Sequence, residues 1–482
     1  MRISGVLLFL LIIAQATSAS DFQDLVQNVP RGANGIMVID VAKAVGTPIA
    51  KKNGWSSKGP ESSDRPLYLP PEADKVLAVA KFDIVRNFQQ AWNVTAFGMT
   101  ESIPLRLVAR AEGGYVDNID GTDAVWIPSD AYLLQSGETD LVMQAPADRQ
   151  AVARWIDQHR KTSLSEISDY LSVAIASIKR EPQIVLALDA GDSIQRHRVR
   201  QHIQQSELAE KHNLDPEQLT DLITGLRGVV VEIVLTDGIT AKARIDFSDK
   251  VTLNAGVAKE LVLAALSTRE MSLPGIESWR CSVVDKSILM DGNLSADSLR
   301  RLISLMEPPS TKFSSLKEAN VETASGDETA KYSLQYYQAI QSLLKDLRQK
   351  SGSHANDAYW IDRYAKKIDQ LPILHVDNDL LDYGQKLSET LRVMSGSRRM
   401  TNLQGGAAAR HDAAGGGSSY DSGYGYGYYN YPSLKDRQTA VAVDRADAAA
   451  SGTAVKLQGW NLIDNATNDI RREMTSRYKI EF

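Results

Sequence analysis

Cysteine is almost missing from this sequence, since Cys281 is the only one among 482 residues. A single cysteine excludes an intramolecular disulfide. An excess of one charge is missing as well, because 54 Lys and Arg stand against 60 Asp and Glu, a formal net charge of -6. This balance excludes a polybasic protein that coats nucleic acid or a membrane. Hydrophobic residues make up 43% of the chain, so most of it should fold.

The motifs that usually reveal an enzyme are also missing. We find no GxGxxG after a strand, no GxxxxGK[ST], no HExxH, no GxSxG, no CxxC and no EF-hand loop. His197 and His202 would lie about 140° apart on a helix, which is a poor geometry for a metal site. Cys281 alternates with apolar residues in WRCSV, a pattern that favours a core thiol over a nucleophile. The sequence therefore predicts no catalytic residue, no metal site and no cofactor.

The N-terminus has the pattern of a secretory signal peptide. Arg2 precedes the apolar run Val6 to Ala14, which is too short to span a bilayer. Small residues at 17 and 19 predict a signal peptide over residues 1–19, with cleavage after Ala16 or an uncleaved anchor as alternatives. No later run is long enough to span a membrane. Export without disulfides predicts a bacterial location, the periplasm or the cell surface.

A weak internal repeat is the most useful structural signal. Asp140 to Ile156 (DLVMQAPADRQAVARWI) aligns without gaps on Ser287 to Ile303 (SILMDGNLSADSLRRLI), and both predict a strand, a turn and an amphipathic helix. At nearly the same separation, IMVID (36–40) resembles VLALD (185–189), each a buried strand that ends at an aspartate. Duplication explains these matches, although convergence on a common strand-turn-helix pattern remains an alternative.

We therefore predict an α+β fold with two tandem, duplicated α/β lobes, mainly antiparallel sheets and a helical C-terminal module. Strands are predicted at residues 105–111, 131–135, 229–235 and 239–247. The predicted segments are a signal peptide (1–19), lobe 1 (20–160), a helical connector (161–180), lobe 2 (181–309), a linker (310–331), a helical module (332–396), a Gly/Tyr-rich disordered linker (397–434), and a C-terminal helix with a terminal strand (435–482).

The Gly/Tyr-rich stretch is too poor in buriable side chains to order itself. Its tyrosines are candidate contacts for a partner, and an inert tether is the alternative. These candidates are Tyr420, Tyr424, Tyr426, Tyr428, Tyr429 and Tyr431.

Two groups of carboxylates have two interpretations each. Asp377, Asp379 and Asp382 could hold a divalent cation, but capping of the following helix is the favoured role. Asp40 and Asp189 could form an acid-base pair, but capping of a turn is again favoured.

The segment WIDRYAKKIDQLPILHVDNDLLDYG (360–384), the opening PRGANGIMVIDV (30–41) and the signal peptide together resemble uncharacterised secreted proteins of planctomycete-type bacteria. The resemblance implies a bacterial cell envelope and no activity, cofactor or catalytic residue. The sequence as a whole predicts an exported, non-catalytic binding or scaffold protein whose partner is an envelope protein or glycan and not nucleic acid. The alternative is a hydrolase-type enzyme with a site between the lobes, near Asp40, Asp189 or His375.

Overall fold

A computed structural model describes residues 22–55, 70, 72–84, 88–161, 167–204, 206–306, 308, 326–348, 357–413 and 434–482. The predicted signal peptide and the six candidate tyrosines lie outside these residues. In the first half the elements are α1 (Phe22–Val26), β1 (Gly35–Asp40), α2 (Val41–Val45), α3 (Pro48–Lys52), β2 (Ala73–Asp83), β3 (Gln89–Met99), α4 (Leu105–Glu112), β4 (Tyr115–Ile119), β5 (Thr122–Ile127), β6 (Ala131–Ser136), β7 (Asp140–Ala145) and α5 (Arg149–Lys161).

The second half repeats much of this order, and a helical region follows it. Its elements are α6 (Asp169–Ser177), β8 (Ile184–Asp189), α7 (Arg196–Ile203), α8 (Glu207–Lys211), α9 (Pro216–Thr224), β9 (Leu226–Leu235), β10 (Ile239–Phe247), α10 (Ala255–Thr268), a 3-10 turn (Ile276–Ser278), β11 (Arg280–Val284), β12 (Ser287–Asn293) and α11 (Ala296–Ser304). The helical region contains α12 (Gly326–Arg348), α13 (Ala358–Asp369), α14 (Asn378–Ala413) and α15 (Leu434–Tyr478).

The strands of both halves join one antiparallel sheet in the order β11-β12-β10-β9-β8-β1-β2-β3-β7-β6-β5-β4. The central pair is β1 and β8, in which Met37 lies opposite Leu186. Counted outward from this pair, the halves run β1-β2-β3-β7-β6 and β8-β9-β10-β12-β11, and the first half adds the hairpin β4-β5. The same order on both sides is what a duplication would produce.

Each face of the sheet carries its own hydrophobic core, because side chains alternate between the faces of a strand. In β1, Met37 and Ile39 point into the first core, which also includes residues of α12, α13 and α14. Ile36 and Val38 point into the second core, which includes residues of α1, α5 and α6. Since all six residues of β1 are buried, the sequence GIMVID shows no polar alternation.

The fold class predicted from the sequence is confirmed. The structure mixes helices with an antiparallel sheet and ends in a helical region. Strands β6, β9 and β10 lie where the sequence predicted them, and β10 has the predicted bounds Ile239–Phe247. No helix in the described part of the chain is long and apolar enough to cross a bilayer.

The strand predicted at residues 105–111 is wrong, because this segment is helix α4. Its apolar residues fit both periods over so short a span. The helix places Leu105, Val108 and Ala109 at i, i+3 and i+4, where they pack on the first core. Gly113 then ends it with a left-handed φ of 72°, which favours glycine.

The predicted terminal strand is also wrong. The helix α15 continues to Tyr478, and residues 479–482 form no strand. The tail folds back on its own helix, because Arg471 Nε donates to the Phe482 carbonyl at 2.6 Å and the Phe482 ring stacks on Tyr478. One further boundary differs from the prediction, because helix α14 continues past residue 397 to Ala413. The segment predicted as a helical connector contains α6, which packs on the second core.

Candidate binding surface

The structure excludes the alternative in which Asp40 and Asp189 form a pair, because the two residues lie at opposite ends of antiparallel strands. Gly35 lies opposite Leu188, so the C-terminal end of β8 meets the N-terminal end of β1. Asp40 accepts the Lys43 backbone N–H at 2.9 Å, and Asp189 accepts that of Gly191 at 3.0 Å. Capping of turns is confirmed for both residues, and these carboxylates share no catalytic cleft.

The acidic patch at the start of α14 is occupied by an arginine. Arg477 Nη1 donates to both carboxylate oxygens of Asp377 at 2.7 and 2.9 Å, and its Nη2 lies 2.5 Å from Asp379. Asp377 also accepts the Asp379 backbone N–H at 2.9 Å, so the predicted helix cap is confirmed. Burial by itself would raise the pKa of Asp377, but hydrogen bonds from Tyr478 and Arg477 outweigh it and lower that pKa. Within the described ranges, no cluster of three or more His, Cys, Asp or Glu residues is arranged to hold a metal ion.

The other two candidate side chains, Cys281 and His375, pack against neighbouring residues. Cys281 is half-buried and points from β11 toward the first core, where burial raises the pKa of its thiol. His375 stacks on Tyr332 with ring centroids 5.7 Å apart. The candidate tyrosines follow α14 and precede α15, and these two helices pack closely at Gly459, where a Cβ atom would lie 2.4 Å from Met394 Sδ.

A surface that the motifs did not reveal lies on the second half of the sheet. We call it the open face. Here the side chains of β10, β12 and β11 that point away from the first core are exposed or half-exposed. They are Thr240, Lys242, Arg244, Asp246, Ser287, Leu289, Asp291, Asn293, Arg280, Ser282 and Val284.

The open face exists because α11 lies on the other side of the sheet from α5. Val152 and Trp155 of α5 pack into the second core, whereas Leu299 and Ile303 of α11 pack into the first core. The two helices follow aligned strands, β7 and β12, and both have a buried apolar stripe. The second half therefore exposes a region of sheet that has a helix over it in the first half.

The side chains at corresponding positions of the two halves differ in the way that the presence or absence of a covering helix requires. Strand registers place Val94 and Leu134 beside β7 where Lys242 and Ser282 lie beside β12. In the same way, Ala96 and Tyr132 correspond to Arg244 and Arg280. The first-half residues are buried in the second core, and their second-half counterparts are exposed. Apolar residues occur under the helix and charged residues occur where the sheet meets solvent.

Charges on and beside the open face alternate from strand to strand. Glu232 of β9 lies opposite Lys242, Lys242 lies opposite Asp291, and Asp291 lies opposite Arg280. Arg280 Nη2 is 2.5 Å from Asp291, and Arg180 Nη2 is 3.7 Å from Glu232. Opposite charges on neighbouring strands stabilise the pairing modestly and keep the surface soluble.

Asp246 anchors one end of the open face. It accepts hydrogen bonds from Tyr170 Oη at 2.8 Å, Ser287 Oγ at 2.6 Å and Arg244 Nε at 2.9 Å. Burial, and then the hydrogen bond to this carboxylate, raise the pKa of Tyr170 well above its ordinary value. The Tyr170 ring fits only because residue 228 is glycine, since a Cβ there would lie 2.4 Å from the ring. These contacts fix the backbone and the Arg244 side chain at this end.

A sequence signal for the open face was present in ITAKARIDF (239–247). Its apolar and polar residues alternate strictly, which indicates a strand with one solvated face. The corresponding strand β3 lacks this alternation toward its end, and its last seven residues are buried. The contrast between the two strands becomes meaningful only when the structure shows that they correspond.

Comparisons with known proteins give no family. No protein-family model and no curated protein matches the chain. The chain is similar to two solved structures of TP0453. Crystal form III has 10% identity and a TM-score of 0.34, and crystal form I has 11% identity and a TM-score of 0.33. The matches cover 58% of this chain and 96% and 97% of those chains. Values this low carry no argument about the function of this chain.

Proposed function

We propose that this protein is an exported, non-catalytic binding or scaffold protein of the bacterial cell envelope, and that it docks its partner on the open face. The observation that carries the proposal is the change from buried apolar to exposed charged side chains at corresponding positions of the two halves. The location rests on the signal-peptide pattern, and on the resemblance to secreted proteins of planctomycete-type bacteria.

Three properties of the open face suit a docking surface. It belongs to a sheet buried on its other side, so its side chains are displayed on a rigid support. Its charged groups lie on neighbouring strands at regular spacings. Asp246 holds Arg244 and Tyr170 in place without a partner, which lowers the entropy lost on binding.

The test is co-sedimentation of the purified protein with isolated cell envelopes. We compare the native protein with the double variant Lys242→Glu and Arg280→Glu, and with the control Lys51→Glu and Lys52→Glu. Both control residues are exposed on α3, and the change in net charge is the same. We expect saturable binding by the native protein and the control, and at least about fivefold weaker binding by the open-face variant.

A third variant separates the open face from the tyrosine-rich segment. Serine replaces all six candidate tyrosines, from Tyr420 to Tyr431, and the rest of the chain is unchanged. If this variant loses binding while the open-face variant keeps it, attachment depends on the tyrosines and the open face is not the docking surface. If the native protein does not bind envelopes at all, the scaffold proposal is wrong.

A further inference from the structure

The basic groups on and beside the open face stand farther into solvent than the acidic groups. The side chains of Arg280 and Arg180 are 86% and 71% exposed. Their carboxylate partners Asp291 and Glu232 are 39% and 29% exposed, and Asp246 is 18% exposed beside Arg244. A molecule that approaches this surface therefore meets guanidinium and ammonium groups first, although the chain as a whole has a net charge of -6.

The spacing of these groups is wide. Lys242 and Arg280 are separated by one strand, β12, and therefore by about 10 Å, while Lys242 and Arg244 are about 7 Å apart along one strand. A carboxylate lies between Lys242 and Arg280. A partner with similarly sparse acidic groups can pair with the basic groups and avoid the carboxylates.

We infer that the open face binds an acidic polysaccharide, one whose carboxylates are spaced at roughly 10 Å along an extended chain. This inference rests on the proposed function, because it names the partner of the same surface. Each carboxylate of the polymer pairs with one exposed basic side chain. The Nε and Nη2 groups of Arg280 already donate to Asp291, so a polymer carboxylate pairs there with the remaining N–H groups of the guanidinium. The polymer lies across strands β10, β12 and β11, where the sheet has no covering helix in the described part of the chain.

Charge density argues against nucleic acid on this surface. Along the helix axis each DNA strand carries a phosphate about every 3.4 Å, so a duplex lying across the strands would place some phosphates against Asp291 or Glu232. A membrane surface fits less well for another reason. Peripheral binding usually inserts large apolar or aromatic side chains. The apolar members of the open face are Val284 at its edge and the half-buried Leu289, and none of its members is aromatic.

The experiment measures binding of the full chain to fluorescently labelled hyaluronan oligosaccharides, which carry one carboxylate per disaccharide. Neutral dextran of the same size is the control polymer. The test variant is Lys242→Thr with Arg280→Thr, since threonine suits a strand, and Lys242→Gln with Arg280→Gln repeats it with longer side chains. The control variant Lys51→Ala with Lys52→Ala removes the same charge from α3.

We expect hyaluronan binding that weakens as salt approaches about 0.15 M, and no dextran binding. Both open-face variants should bind at least about tenfold more weakly than the native protein, and the control variant should bind normally. Matching circular dichroism spectra and thermal midpoints show that the variants remain folded.

Several results overturn the inference. They are no hyaluronan binding by the native protein, an equal loss in the control variant, or tighter binding to a DNA duplex or to phosphatidylglycerol vesicles than to hyaluronan. The envelope experiment then shows how far the failure reaches. If Lys242→Thr with Arg280→Thr still weakens envelope binding, the docking surface stands and only the partner class is wrong. If that effect is absent too, both proposals fail.

Discussion

Two neighbouring arginines of α11 should respond in opposite directions when their charge is removed. Arg301 is completely buried, and its Nη2 donates to the Asp346 carbonyl at 2.9 Å. Its Nε and Nη1 have no acceptor within the described residues. Arg300, by contrast, donates from Nε to both carboxylate oxygens of Asp346 at 2.8 Å and also contacts Asp297. We therefore expect Arg301→Met to stabilise the protein and Arg300→Met to destabilise it.

The magnitudes follow from what each substitution leaves behind. Each unsatisfied buried donor costs about 1–3 kcal/mol, and the hydrogen bond lost at Asp346 contributes about 0.5–1.5 kcal/mol. Two donors at about 2 kcal/mol each, less about 1 kcal/mol for the lost bond, give a net gain of about 3 kcal/mol in the free energy of unfolding for Arg301→Met. Methionine adds no strain of its own, because it keeps an unbranched apolar stem. Arg300→Met leaves Asp346 and Asp297 buried without their cation, which should cost about 3–5 kcal/mol. Burial already raises the pKa of Asp346 in the native protein.

Urea unfolding followed by circular dichroism measures these differences. The matched control is Arg154→Met, because Arg154 is the aligned residue of α5 and is exposed. Its effect should stay within about 0.5 kcal/mol. Arg301→Met could instead lower the urea midpoint as much as Arg300→Met does, with an unchanged denaturant slope. That result would mean that the Nε and Nη1 groups of Arg301 are hydrogen-bonded in solution, and it would refute the reasoning.

Three further predictions concern other contacts. Trp360→Phe should lower the free energy of unfolding, measured in urea, by about 2–4 kcal/mol. The substitution removes the hydrogen bond from Trp360 Nε1 to the Ser272 carbonyl at 3.0 Å and leaves a cavity at a fully buried position. A loss under about 1 kcal/mol would contradict this prediction. The pKa of Asp377 is lower in the folded than in the unfolded chain, so its stabilisation is complete above about pH 4 and is lost as the pH falls through the folded value. Asp377→Asn should therefore flatten the acid side of the stability profile, and an unchanged profile counts against the contact with Arg477. Gly228→Ala should lower the stability measured by thermal unfolding by about 1–3 kcal/mol, because the new Cβ would lie 2.4 Å from both Tyr170 Cε1 and the Leu188 carbonyl oxygen. The control Gly238→Ala should leave the stability unchanged, because no atom lies within 4 Å of the new Cβ.

Helices and strands could be predicted from the sequence wherever the spacing of apolar residues fits only one period. The alternation in residues 239–247 gave β10 its bounds. The gapless alignment of residues 140–156 on 287–303 placed β7 before α5 and β12 before α11. Asp40, Asp189 and Asp377 behave as the capping residues that their positions suggested. These features depend on a few neighbouring residues, which the sequence displays directly.

Features that depend on contacts between residues far apart in the chain could not be predicted from the sequence. Residues 105–111 satisfy a strand period and a helix period equally, and their packing on the first core decides for the helix. The pairing of β1 with β8 joins residues far apart in the chain, and both strands are simply apolar in sequence. The open face was missed for the same reason, because α5 and α11 have matching stripes that do not say which face of the sheet each helix covers.

The position of α11 links the open face to the attachment of the C-terminal helices. On the first-core side, α11 meets α12 through Arg300 and Asp346, and α13 through Arg363, which donates to the Ser304 carbonyl. If α11 covered the open face instead, Leu299 and Ile303 would press on Lys242 and Arg244, and removing these charged groups from water would be costly. The charged strand residues and the docked helical region therefore favour the same position of α11. The surface proposed for binding is exposed because the helix that would cover it holds the C-terminal region in place.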